Sequence, residues 1–200
     1  MTDVNLDTET SRTSDVTASA SLILHELSTT ISHLRENGHE DLEAAADTLS
    51  GGGRVFLLGA GRSGLALQLP ARRLMHLGLS VHVVGEVTAP AIGPRDVLLT
   101  ASGSGTTTAI LRAAETAAQV GARIVVLTTH EASPLAALAT NVVLVPAAGK
   151  LDRSGSVAAQ YAGSLFEQGV MLIGDALFHS LWQRSGQSAD ALWPRHSNLE

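Results

Sequence analysis

Two Gly/Ser-rich turns are the clearest candidates for a binding site in this chain. They are Gly59-Ala60-Gly61-Arg62-Ser63-Gly64 and Ser102-Gly103-Ser104-Gly105-Thr106. Each turn follows a short apolar run and precedes a segment whose pattern is typical of a helix. Such a turn surrounds an anion with backbone N–H groups and hydroxyls, and the helix N-terminus adds the positive end of its dipole. Two of them in one sheet predict a phosphorylated ligand held between them.

Each turn also has an alternative interpretation. In the first, Gly59, Gly61 and Gly64 satisfy the Gly-x-Gly-x-x-Gly form of a dinucleotide site, and Glu86 lies about where such a site needs its acid. A nicotinamide-dependent oxidoreductase is therefore one alternative, and a tight turn without a ligand is another. In the second turn, Thr106 is able to cap the next helix, which requires no ligand. The several hydroxyls of the second turn, together with Ser63, favour phosphate.

Three further positions carry titratable groups of interest. Glu167 stands near the start of an apolar segment, either as a solvated acid that suits the helix dipole or as a general base facing the pocket. His76 ends a predicted helix, where a histidine is often only a favourable cation. His179 follows Asp175 by four residues and offers two metal ligands without a third, so we expect no metal.

Alternating strands and helices must position these residues. Apolar runs predict five strands at residues 54–58, 81–84, 97–101, 124–128 and 142–145. Periodicity and end signals predict helices at residues 18–35, 42–49, 63–77, 107–120, 134–138 and 164–182. This order predicts an α/β three-layer sandwich, with a five-stranded parallel sheet of the flavodoxin/Rossmann-like kind and helices on both faces. Ligands of such sheets lie beyond the carboxyl ends of the strands.

Composition limits the class of protein. The 200 residues suit a single domain over 18–200, preceded by a flexible tail over 1–17 and closed by a polar segment with Trp193-Pro194 as its predicted anchor. The chain has no cysteine and a formal net charge of −6. Without a basic stripe or a long apolar run, neither nucleic acid nor a membrane is an expected partner, and we expect a cytoplasmic protein.

Several segments carry a resemblance to a known family. They are the two turns, Arg73-Leu74-Met75-His76-Leu77-Gly78, Val84-Gly85-Glu86-Val87-Thr88-Ala89-Pro90, Gly163-Ser164-Leu165-Phe166-Glu167-Gln168 and Arg195-His196-Ser197-Asn198-Leu199-Glu200. Over about residues 20 to 200, the chain resembles the 6-phospho-3-hexuloisomerase family, which has the sugar isomerase (SIS) fold. The segments other than the two turns are more specific than the fold motif itself.

The resemblance implies a reaction and an assembly. Members of the family interconvert D-arabino-hex-3-ulose 6-phosphate and D-fructose 6-phosphate through a 2,3-enediol, without a cofactor or a metal. This is the second step of formaldehyde assimilation in the ribulose monophosphate pathway, after hexulose-phosphate synthase. Members are usually homotetramers whose active sites are lined by neighbouring subunits. A homo-oligomer, a tetramer or a dimer, is therefore expected here.

The resemblance also implies roles for particular residues. Glu167 is the expected proton carrier, and His76 is its expected partner at the carbonyl. The expected substrate and phosphate contacts are Gly61, Arg62, Ser63, Glu86, Ser102, Gly103, Ser104 and Thr106.

Two departures from the family pattern bear on activity. Pro70 stands inside a predicted helix, where a proline removes a backbone hydrogen bond and is expected to kink the segment leading to His76. Tyr161 and Ala162 stand where the family pattern has Pro and Met. Rival functions are another sugar-phosphate isomerase of the same fold, for arabinose 5-phosphate or sedoheptulose 7-phosphate, and a sugar-phosphate sensor without catalysis.

Overall fold

The computed structural model describes residues 15–199, which form six α-helices, two 3₁₀ turns and one five-stranded sheet. The helices are α1 (Val16–Asn37), α2 (His39–Ser50), α3 (Gly61–Leu77), α4 (Thr108–Gln119), α5 (Ser164–Ser185) and α6 (Ala189–Leu192). The strands are β1 (Val55–Gly59), β2 (Val81–Val83), β3 (Val97–Ala101), β4 (Arg123–Thr128) and β5 (Asn141–Leu144). Within the described range, no helix is both long enough and apolar enough to cross a membrane.

The N-terminal boundary differs from its prediction. Helix α1 begins at Val16, within the predicted tail, because Asp15 caps it and its carboxylate accepts the N–H of Thr17 at 3.1 Å. The rest of that tail, residues 1–14, lies outside the described residues. Helix α2 begins at His39, directly after the glycine that ends α1, and the helix predicted over 134–138 is only the 3₁₀ turn Ala136–Leu138.

The sheet is parallel throughout, in the order β2-β1-β3-β4-β5, and confirms the predicted fold class. The order reverses between β1 and β3, which pair in register from Val55 with Val97 to Gly59 with Ala101. Their carboxyl ends therefore lie side by side at the switch point, where open α/β sheets bind ligands. Both Gly/Ser-rich turns begin there.

Both faces of the sheet are covered, which explains why the strands are continuously apolar. Alternate strand residues such as Leu57 and Leu99 pack under α1, α2, α3 and α5, in the larger of two main cores. The residues between them, including Phe56 and Leu98, pack under α4. The predicted three-layer arrangement is thus observed, with most of the helical surface on one side.

Pro70 does not interrupt its helix. Helix α3 continues through it from Gly61 to Leu77, and Pro70 is buried. Its ring lies against Gly174 of α5, where a Cβ atom would stand only 2.5 Å from the proline Cγ. The missing side chain at Gly174 therefore makes room for the ring, and the helix is not interrupted at Pro70. The kink expected before His76 stays a prediction.

The C-terminal segment is anchored by other residues than predicted. Trp193 is 69% exposed, whereas the neighbouring Leu192 is buried. Arg195 holds the segment against the end of α3, since its guanidinium donates to the backbone oxygen of His76 at 3.0 Å and to Gln187 Oε1 at 3.3 Å.

An ion pair between half-buried Arg54 and buried Asp96 joins the amino ends of β1 and β3. The carboxylate of Asp96 accepts hydrogen bonds from the guanidinium of Arg54, at 2.6 Å for the shorter contact, and from the backbone N–H groups of Arg54 and Gly93. The bond from the Arg54 side chain is the main reason that the pKa of Asp96 falls to about 2, from an ordinary value of 3.8.

This pair predicts acid sensitivity. A carboxylate whose pKa is lowered by folding stabilises the fold above its unfolded pKa, and this stabilisation disappears as the pH falls from about 4 to about 2. We expect Asp96→Asn to lower the free energy of unfolding at pH 7 by about 2 kcal/mol and to flatten its pH dependence over that window. Urea unfolding across pH 2–7 measures both effects. A variant that keeps the wild-type slope below pH 4 would contradict the assignment.

Candidate active site

The first turn is built by a close approach of β1 and α3. A Cβ atom at Gly59 would lie 2.8 Å from the Cα of Gly64, so only glycine fits. Gly61 opens α3 with a φ of 57°, in the left-handed region. Ser63 follows in the first helical turn and is half-buried. Among residues 15–199, no side chain caps this helix, so its first N–H groups remain directed out of its N-terminus.

The hydroxyls of the second turn fall into two groups, one buried and one exposed. Ser102 is buried, and its Oγ lies 3.1 Å from Thr107 Oγ1. Ser104 is exposed and accepts hydrogen bonds from both the N–H and the hydroxyl of Thr106, at 3.3 and 2.9 Å. Ser104 and Thr106 are therefore the hydroxyls of this turn that are most available to a ligand.

The last residue of β4 and the segment after it support the second turn, a role that the sequence did not predict. The hydroxyls of Thr128 and Thr129 donate to the backbone oxygen of Gly103, at 3.2 and 2.8 Å. Ser133 packs beneath Gly105, which has a φ of 61°. Their position directly after a strand of the same parallel sheet was the available signal.

A cavity of about 480 Å³ opens between these two segments. It is lined by Ser104, Thr106, Thr129, His130, Glu131, Ala132, Ser133, Pro134 and Leu144. Its lining includes the hydroxyl-bearing residues Ser104, Thr106 and Thr129 beside apolar ones, and it lies at the predicted edge of the sheet.

The start of α5 joins the two turns. The guanidinium of Arg62 donates to Glu167 Oε2 at 3.1 Å and to Ser164 Oγ at 2.9 Å. The ring of Phe166 lies against Gly103, where a Cβ atom would stand 3.5 Å from its Cδ1. The Glu167 side chain is 21% exposed, so it is partly shielded yet open to a ligand. The structure thus brings Glu167 together with both predicted turns.

The electrostatics of this edge favour an anion. Within the described chain, helices α3, α4 and α5 all begin without a side chain that accepts from their first N–H groups, in contrast to α1 and α6, which are capped by Asp15 and Ser188. These three helix starts therefore supply partial positive charge at this edge of an acidic chain. The charge of Arg62 is balanced by its ion pair with Glu167, and Glu131 also lines the cavity.

Glu86 lies apart from these residues. It is exposed in the turn after β2 and lines a separate cavity of about 340 Å³ with Phe56, Leu98 and Thr116, on the α4 side of the sheet. Its role in substrate binding stays a prediction.

His76 lies at the opposite end of α3 from Arg62. The helix has 17 residues, so the two positions are roughly 20 Å apart along its axis. His76 is only 2% exposed, its ring stacks on that of His196 at 4.0 Å, and neither ring nitrogen has a hydrogen-bond partner in the described part of the chain. Burial is the main reason that the pKa of His76 is lowered, and electrostatic repulsion from His196, Arg72 and Arg73 lowers it further. The lower pKa favours a neutral imidazole.

The pair Asp175 and His179 lines another cavity, together with Trp182 and Trp193. Across residues 15–199, no three His, Asp or Glu side chains are grouped so that they could hold a metal ion.

Comparisons with known proteins show the family to which the chain belongs. The SIS domain family matches residues 48–163. A Mycobacterium gastri protein named 3-hexulose-6-phosphate isomerase is 48% identical over 186 residues, which are 93% of this chain and 92% of the relative. A Bacillus subtilis protein of the same name is 32% identical over 179 residues, which cover 89% of this chain and 95% of the relative.

A solved structure shares the fold. It is a Methanococcus jannaschii protein for which a molecular function of 3-hexulose-6-phosphate isomerase was inferred. It superposes with a TM-score of 0.77 over 92% of this chain and 99% of its own, at 24% sequence identity, so it supports the fold alone.

The turn geometry predicts that Gly105 cannot be replaced freely. In Gly105→Ala, the new methyl group would overlap Ser133, and alanine disfavours the left-handed backbone. We expect affinity for a hexose 6-phosphate, measured by calorimetry, to fall on the order of tenfold or more. Gly149→Ala is the matched control, since a Cβ atom there meets nothing within 4 Å. Equal affinities of the two variants would show that the turn does not bind the ligand.

Proposed function

The chain belongs to the SIS domain family and, within it, to the 3-hexulose-6-phosphate isomerases, and we propose that it interconverts D-arabino-hex-3-ulose 6-phosphate and D-fructose 6-phosphate. Two relatives of that name, matched over most of their length, support the reaction. The observation that carries the mechanism is the position of Glu167, which contacts Arg62 of the first turn while the preceding Phe166 lies against Gly103 of the second.

The reaction needs one group that moves a proton between adjacent carbons. Glu167 removes the proton from C2 while the C3 carbonyl oxygen gains one, which gives the 2,3-enediol. The same carboxyl group then returns a proton to C3, and loss of the proton on the C2 hydroxyl forms the new carbonyl. A carboxylate is suited to both halves because it acts first as base and then as acid.

The phosphate group is assigned to the space between the turns. Ser63, Ser104 and Thr106 supply hydroxyls, and the free N–H groups at the starts of α3 and α4 complete the cradle. Arg62 lies beside both Glu167 and this space, so it is able to contact the phosphate or an oxygen of the sugar. Buried Ser102 supports the turn through Thr107.

His76 is assigned to the active site of a neighbouring copy, because its own Glu167 lies at the far end of α3. The face of α3 that leads to it carries the exposed apolar residues Leu65 and Leu69, at 62% and 53% exposure. Two neighbouring exposed leucines, set among the polar residues Gln68, Arg72 and Arg73, are suited to a subunit contact. We therefore propose a homotetramer, acting in the cytoplasm in the ribulose monophosphate pathway after hexulose-phosphate synthase.

The first prediction concerns the base. Glu167→Gln keeps the size of the side chain and removes its basicity, so kcat should fall about 10²–10⁴-fold. The assay generates the hexulose phosphate enzymatically and follows fructose 6-phosphate through a coupled glucose 6-phosphate readout, without added metal. Glu115→Gln, on the exposed face of α4, is the control and should keep full activity.

Either of two outcomes would overturn this assignment. Near-normal turnover by Glu167→Gln would remove the base. Absence of turnover in the wild-type protein, with a sugar phosphate still raising its melting temperature, would favour another sugar-phosphate isomerase or a sensor.

The second prediction concerns the shared site. Glu167→Gln and His76→Asn subunits, each inactive alone, are co-expressed with different tags and purified as mixed oligomers. If each site takes the two residues from different copies, random mixing restores about a quarter of wild-type activity. No restoration, with both variants folded and assembled, would contradict a shared site.

A further inference from the structure

The segment that leads into α5 has little structure of its own. Residues 145–163, all of them described, form no helix or strand, and many of them are small and polar. Yet this segment determines where α5 begins, and the first turn of α5 holds Ser164 and Glu167. Something outside the segment must therefore fix its position.

Glu26 of α1 holds the end of this segment. One of its carboxylate oxygens accepts the backbone N–H of Ala159 at 2.6 Å. The other accepts the side-chain amide of Gln160 at 2.9 Å. A half-buried carboxylate that accepts from both a backbone and a side-chain donor is a directional contact, stronger than one between neutral groups.

Gln160 links Glu26 to helix α5 through a second hydrogen bond. Its Oε1 accepts from Nε2 of Gln168 at 2.9 Å, and Gln168 directly follows Glu167. The Oε1 atom of Gln168 is buried and has no partner among the residues that the structure describes. The bond to Gln160 is therefore what orients the Gln168 amide, and it runs from α1 through the loop to α5.

The backbone between these contacts is strained. Ala162 has a φ of 51° and is the only residue other than glycine with a positive φ in the described range. Such a conformation persists only where surrounding contacts impose it. Here those contacts are the Glu26 and Gln160 bonds on one side and, on the other, the bond from the Ser164 hydroxyl to the backbone oxygen of Tyr161 at 2.8 Å.

Helix α1 also holds the beginning of the segment. The hydroxyl of Thr30 donates to the backbone oxygen of Pro146 at 3.2 Å. Leu27 packs on a small apolar cluster formed by Ala148, Ala158 and Leu165. The loop is thus bound to one face of α1 at both of its ends, and Glu26 supplies the charged contact at the end that leads into α5.

We propose that Glu26 is a positioning residue for the isomerase reaction, acting through Gln160 and Gln168 to hold Glu167 in its catalytic place. The proposal rests on the proposed role of Glu167 as the base. It assigns a catalytic consequence to a residue of α1 that has no contact with the phosphate turns.

The test is a pair of variants. In Glu26→Gln, one amide oxygen replaces two accepting carboxylate oxygens, so the NH₂ group must face either Gln160 or the N–H of Ala159, and one of the two hydrogen bonds is lost. Adding Gln160→Glu restores every bond: the residue-26 amide donates to the new carboxylate, which also accepts from Gln168, and the residue-26 oxygen still accepts from Ala159. We expect Glu26→Gln to lower kcat about 10- to 100-fold with KM changed less than about twofold, and the double variant to recover most of the loss.

Glu36→Gln is the matched control, since Glu36 lies on the same helix, is exposed and pairs only with the adjacent Arg35 among the described residues. Its activity should be unchanged. A lower melting temperature of Glu26→Gln with kcat unchanged, a rise in KM alone, or no recovery in the folded double variant would each overturn the proposal.

Hydrogen exchange keeps this test independent of the proposed reaction. Backbone amides of residues 159–168 should exchange faster in Glu26→Gln and return to the wild-type rate in the double variant. If the exchange pattern follows the prediction while the wild type fails to isomerise the hexulose phosphate, the contact is real and the proposed reaction is wrong. If exchange is unchanged in Glu26→Gln, the positioning proposal itself fails.

Discussion

The packing of α5 against α3 is the interaction on which the rest of the structure depends. Helix α3 carries the first turn, and α5 carries Glu167, so their separation sets the distance between bound phosphate and the proposed base. In the middle of the pair, the Pro70 ring occupies the space that a side chain at Gly174 would need. At the N-terminal ends, Arg62 contacts both Ser164 and Glu167. The buried contact between Pro70 and Gly174 and the ion pair between Arg62 and Glu167 therefore both fix the position of α5 relative to α3.

The proposed phosphate site of this acidic chain relies on local dipoles rather than on the overall field of the protein. Within the described residues, α3, α4 and α5 begin without side-chain caps, and a cap is worth about 1 kcal/mol to a helix. In the proposed complex, the free N–H groups gain the phosphate as a partner, so stability of the empty protein is exchanged for affinity. The hydroxyls of Thr128 and Thr129 contribute by holding the second turn rather than by extending toward the ligand.

The two ends of α3 contact different parts of the structure. One end meets Glu167, and the other holds His76 under His196, with Arg195 bonded to its backbone oxygen. A single copy keeps these groups apart because a helix is rigid over this length. In the proposed shared active site, this separation is bridged between copies. A symmetric assembly is able to bring His76 of one copy close to Glu167 of another.

The sequence by itself determined the parallel α/β sheet and the two turns at its carboxyl edge, because apolar runs and glycine spacing are local signals of strands and tight turns. A family motif also pointed to Glu167, whose role as the base stays a prediction. The sequence did not indicate that Pro70 packs on Gly174, since the two residues are about a hundred positions apart in the chain. Only the tertiary structure placed His76 away from Glu167 and connected Glu26 to Gln160, more than a hundred residues apart. Such contacts depend on which helix faces meet, and periodicity along the chain does not encode that choice.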